Sequence, residues 1–83
     1  MKVLVLRSSE RDWEGLFIDG NLVDEGYRLG EPDTQMYLLK KSEQYGFGSS
    51  DISFKWIEDD NDEAYLYGMG CFPKKLEELG GDY

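Results

Sequence analysis

Apolar and polar positions change places along this chain in short blocks, and each block predicts an element. Residues 2–7, KVLVLR, are apolar on both faces, with Val3 and Val5 on one and Leu4 and Leu6 on the other. Such a run predicts a central strand covered from both sides. After a polar connection (8–12), residues 13–29 read as two strands joined at Asp19-Gly20. That dipeptide suits the positive φ values of a tight hairpin turn, with Ile18 and Leu22 near each other across it.

Residues 30–47 carry helix punctuation at both ends. Pro32 fits a first helical position, and Glu31 and Asp33 favour the positive end of the helix dipole. Met36 and Leu39 share a face that Leu38 and Tyr45 broaden, while Lys40, Lys41 and Glu43 lie opposite. Gly46 suits a left-handed end and Phe47 its apolar contact, so the spacing predicts a helix over 32–45.

Residues 46–51 read as a loop. In 52–57, Ile52, Phe54 and Trp56 alternate with Ser53 and Lys55, the pattern of a half-buried strand. Residues 63–70 alternate as well, Ala64 and Leu66 against Tyr65 and Tyr67, which predicts a fifth strand paired through a turn at 58–62. Residues 71–81 predict a short final helix opened by Pro73, with Leu76 and Leu79 on one side and Gly80 closing it. The expected fold is α+β, in the order βββ-α-ββ-α. It has one antiparallel or mixed five-stranded sheet, with the main helix packed on one face.

The 83 residues make a single domain, 1–83, with a modest core and little room for a deep catalytic cavity. Eighteen acids against nine bases give a net charge of −9. Phosphate recognition needs clustered Lys and Arg, and the only adjacent basic pairs are Lys40–Lys41 and Lys74–Lys75. The charge therefore argues against direct contact with nucleic acid or an anionic membrane, and it favours a basic protein partner. Four apolar residues before Arg7 are too few for a signal peptide or a membrane span, and one cysteine allows no internal disulfide. The expected setting is the cytoplasm.

The side chains of common catalytic chemistry are missing. With no histidine in the chain there is no Cys-His pair, no Ser-His-Asp triad and no zinc ligand set. GFGSS (46–50) follows a helix pattern and precedes a strand, the wrong order for offering a helix N-terminus to phosphate. An EF-hand register started at Asp59 puts Ala64 where glycine belongs and Gly70 where the bidentate glutamate belongs. Cys71 reads as a small buried apolar group. The expectation is a protein without enzymatic activity, cofactor or bound metal.

One stretch stands out. Glu58, Asp59, Asp60, Asp62 and Glu63 follow one another almost without interruption, flanked by Trp56, Tyr65 and Tyr67. Asp and Asn build turns, so the run fits a hairpin connection. A turn needs only one or two such residues, and the excess reads as a surface for Lys and Arg rimmed by aromatic anchors. The alternation with Leu66 would place Tyr65 and Tyr67 outward on the same hairpin; otherwise they cover the second helix. The favoured function is a small acidic interaction module, an inhibitor or regulator that occupies the nucleic-acid-binding surface of a basic partner, as compact phage anti-defence proteins do. Two alternatives stay open. One is a protein that binds or sequesters a small molecule or nucleotide near Trp13, Trp56, Tyr65 or Tyr67. The other is a self-associating subunit, a homodimer paired through a strand edge or the tyrosine face.

Overall fold

A computed structural model describes residues 1–83. The chain runs β1 (Val3–Arg7), β2 (Trp13–Ile18), β3 (Asn21–Tyr27), α1 (Thr34–Tyr45), β4 (Ile52–Trp56) and α2 (Asp60–Met69), with single 3-10 turns at Ser49–Asp51 and Leu76–Glu78. The strands form one mixed sheet in the order β3-β2-β1-β4, in which β1 is antiparallel to β2 and parallel to β4. A parallel pair needs a crossover, and the segment containing α1 supplies it. The fold is thus α+β with four strands, not five.

β1 is the central strand that its pattern predicts, with Val3, Leu4, Val5 and Leu6 all buried. Val3 and Val5 join Leu16, Ile18, Leu29, Leu38 and Phe47 in the core under α1. Leu4 and Leu6 join Phe17, Ile57, Leu66, Phe72, Leu79 and Tyr83 in the core under α2. Helices therefore cover both faces of the sheet, where the pattern predicted one main helix on one face.

The hairpin turns at Asp19 and Gly20, with φ of 50° and 81°. Ile18 pairs with Asn21 and Leu22 pairs with Phe17, so Ile18 and Leu22 belong to opposite cores instead of meeting across the turn. In α1, Asp33 caps the first turn by accepting from the Met36 N–H at 3.0 Å, which leaves Pro32 before the helix. Gly46 ends it in the left-handed conformation at φ 79°. The buried stripe is Leu38 with half-buried Thr34, Tyr37, Lys41 and Tyr45, while Met36 and Leu39 face solvent.

Two expectations are overturned near the C-terminus. Residues 63–70 are not a strand but most of α2. Buried Asp62 and Leu66, with half-buried Glu63 and Tyr65, recur at helical spacing, and two carboxylates in that stripe hid its period. Residues 71–81 form no helix beyond the turn at Leu76–Glu78. Their main chain is tied to the start of β3, where Leu22 N–H donates to Lys74 O and Leu76 N–H to Gly20 O, both at 2.8 Å. No helix is long and apolar enough to cross a membrane.

Candidate functional site

The acidic stretch is the start of α2, and that placement accounts for much of its composition. Asp59 is the N-cap, its carboxylate accepting from the Asn61 N–H at 2.7 Å. Asp60, Asp62 and Glu63 occupy the first turn, where the positive end of the helix dipole offsets their mutual repulsion. Asp62 is only 3% exposed. It accepts from the N–H groups of Gly80 and Gly81 at 2.7 and 2.8 Å and from the Tyr83 hydroxyl at 2.8 Å. Glu63 accepts from the Ser8 hydroxyl at 2.8 Å through one oxygen, and its Oε1 is buried without a hydrogen-bond partner. Only Glu58 and Asp60 of the five are exposed. The stretch is therefore neither a hairpin turn nor a row of five outward carboxylates.

Burial and the bond to Asp62 push the Tyr83 phenol up from its ordinary value near 10 to about 12. A raised phenol pKa means that the fold favours the protonated hydroxyl. Its contribution is complete below pH 10 and lost as pH rises through about 12. Burial and Asp24 also raise Tyr37, with the same sign. Melting temperature should accordingly fall between pH 10 and 12, and less steeply in Tyr83→Phe; equal slopes in circular-dichroism melts would refute the link to Tyr83.

The flanking aromatics part company. Trp56, 55% exposed, pairs in register with Arg7 and so shares the α1 face of the sheet with Val3 and Val5. Tyr65 is half-buried against the core under α2, and Tyr67 is 74% exposed with the Arg11 guanidinium 4.6 Å from its ring centre. The two tyrosines do not stand out side by side.

Three surface features take the place of the expected hairpin. Asp60, Glu63 and Tyr67 meet Glu10 and Ala64 around a groove of about 360 Å³ on α2. Trp56 and Glu58 meet Phe54, Lys55, Asp82 and Tyr83 around a groove of about 310 Å³ along β4. Tyr65 lines an open cleft of about 860 Å³ with Leu22, Phe72, Lys74 and Lys75, between β3 and the C-terminal segment. Half-buried Cys71 lies in that cleft as a free thiol. Glu10 and Asp82 had no sequence signal tying them to the acidic stretch, because only tertiary contact brings them there, whereas Phe54 follows from the alternation it shares with Trp56.

The charges are sorted as well as clustered. Ion pairs join Arg7 to Glu14, Arg28 to Asp12 and Glu31, Lys41 to Asp24, and the N-terminus to Asp51. None of these pairs uses Glu10, Glu58, Asp59, Asp60, Asp62 or Glu63. No three His, Cys, Asp or Glu side chains gather closely enough to hold a metal ion. Comparison of the chain with protein-family models, curated proteins and solved structures finds no match.

Proposed function

We propose that this protein is a non-catalytic interaction module that offers carboxylates to Lys and Arg on a basic partner. The observation that carries this reading is the groove on α2. Exposed Glu10 and Asp60 line it beside the exposed Tyr67 ring, with half-buried Glu63 between the elements, and no internal ion pair neutralises the three. Charge-assisted hydrogen bonds from a guanidinium or ammonium would satisfy the Glu10 and Asp60 oxygens, and the exposed part of the Tyr67 ring not taken by Arg11 adds a surface for the cation's stem. Carboxylates so arranged take the place of phosphates, so the partner is a protein whose own ligand is nucleic acid. Inhibition by occupying that surface, as in phage anti-defence proteins, is the concrete form of the proposal.

The test is affinity capture at low and moderate salt with the wild type and with a Glu10→Gln, Asp60→Asn, Tyr67→Ala variant. Asp59, Asp62 and Glu63 are left intact because their bonds hold the fold. The expected result is a nucleic-acid-binding protein retained by the wild type, released by salt and lost with the variant. Identical captures would sink this reading. They would favour the second one, in which the open cleft of about 860 Å³ beside Leu22, Tyr65 and Phe72 holds a small molecule.

A further inference from the structure

The two edges of the sheet are treated differently. The β3 edge is covered at its start by residues 74–76, through the Leu22–Lys74 and Leu76–Gly20 main-chain bonds and a bridge between Asn21 and Lys75. β4 pairs with β1 on one side and with nothing on the other. The Ile57 N–H donates to Arg7 O at 2.8 Å, which sets the phase of the strand. Alternate residues point their main-chain groups to opposite sides, so Ser53, Lys55 and Ile57 face β1. Ile52, Phe54 and Trp56 turn their N–H and C=O groups outward.

Those outward residues also carry the apolar side chains. Phe54 and Trp56 are 49% and 55% exposed, and the Arg7 guanidinium lies 4.8 and 5.8 Å from their ring centres. Neither proline nor a bulge interrupts 52–56, and Lys55 is the one charged guard on this five-residue edge; the sheet's one register shift lies between Leu16 and Phe17 of β2.

We infer that β4 pairs antiparallel with β4 of a second copy of this chain, about a twofold axis through Phe54. In that register Phe54 faces its own counterpart, Ile52 faces Trp56, and Ser53 faces Lys55. Each of the three outward residues then donates and accepts one main-chain hydrogen bond across the axis. All the apolar side chains fall on one face. Although each chain carries a net charge of −9, the register opposes no like charges along the paired strands. Lys55 is the only charge in the strand, and the flanking acids Asp51 and Glu58 come opposite Ile57 and Ser50, so no like charges stand directly opposed. The two four-stranded sheets become one continuous sheet, leaving the acidic groove on α2 outside the strand pairing.

The test is sedimentation equilibrium over a concentration series with the wild type, Phe54→Lys, Phe54→Glu, and an equimolar mixture of the two variants. Residue 54 is exposed, so these substitutions leave the core intact, which circular dichroism checks. The wild type should dimerise. Each variant alone should dimerise about tenfold or more weakly, because like charges then meet on the axis. The mixture should recover a heterodimer, since Lys then faces Glu. A wild type that stays monomeric throughout overturns the inference, whether or not the edge takes up some other strand. So does a dimer indifferent to both variants, or a mixture that associates no better than its components.

Discussion

Asp62→Ala is expected to cost about 3 kcal/mol and to lower the melting temperature by roughly 10–20 °C. The carboxylate stands 3% exposed at the junction of α2 and the C-terminal segment, accepting from the N–H groups of Gly80 and Gly81 and from the Tyr83 hydroxyl. Its removal takes from three donors the one acceptor they share. A hydrogen bond to a charged acceptor is worth about 1.5–3 kcal/mol, and exposure of the glycines to water returns part of that loss. Tyr83 also donates its position: its oxygen accepts from the Glu58 N–H at 3.3 Å, so losing Asp62 loosens the loop between β4 and α2. Asp62→Asn keeps the volume but turns one oxygen into a donor that faces donors, and it should fall between alanine and the wild type. Circular-dichroism melts decide the matter. A change of only a few degrees in Asp62→Ala would mean that Asp62 does not anchor the C-terminus.

That role explains why the acidic stretch misled a reading of the sequence. Helix recognition rests on apolar residues at spacings of three and four, and in α2 the inward stripe is Asp62, Glu63, Tyr65 and Leu66. With carboxylates at two of those positions, the remaining alternation of Ala64, Tyr65, Leu66 and Tyr67 imitates a strand. The start and stop signals were nevertheless present: Asp59 as a cap with acids in the first turn, and Gly70, left-handed in the structure, after the last residue. What could not be read was the partner of Asp62, because Gly80, Gly81 and Tyr83 reach it only through the folded chain. The same holds for the groove on α2, which joins Glu10 from the β1–β2 connection to Asp60 and Glu63.

The elements read correctly are those whose local chemistry and tertiary role agree. β1 is apolar on both faces because helices cover both faces of the sheet, and the hairpin turns at Asp19-Gly20 because both residues adopt positive φ there. Gly46 likewise ends α1 where its freedom is needed. β4 marks the intermediate case. Its alternation predicted a strand, and it is one, but Phe54 and Trp56 on its apolar face stay about half exposed, with only Arg7 laid against their rings. A periodic pattern reports that a face is apolar; it does not report whether the cover comes from the same chain.

Phe72→Ala is expected to cost about 3–5 kcal/mol, the range for deleting a buried phenyl ring. The ring is 3% exposed and meets Phe17 edge-on, with centroids 5.6 Å apart and an interplanar angle of 78°. Its own N–H is held by the Glu25 carboxylate at 2.9 Å, which fixes the C-terminal segment over β2. The ring lies directly on Gly15: a Cβ there would stand 2.6 Å from Phe72 Cδ2 and 2.9 Å from Cε2. Glycine is therefore required in the middle of β2 for space, not for its backbone freedom, and Gly15→Ala alone should cost about 1–3 kcal/mol through overpacking. The two effects share one volume and cannot be independent. In the Phe72→Ala background the new methyl meets a cavity in place of that ring and keeps only the 3.1 Å approach to Phe17 Cε1, so the double variant should be more stable than the sum of the single losses by about 1 kcal/mol or more. Urea denaturation of the four proteins in this cycle measures that coupling. Losses that simply add would place the Phe72 ring away from Gly15 and remove the reason for a glycine in the centre of the sheet.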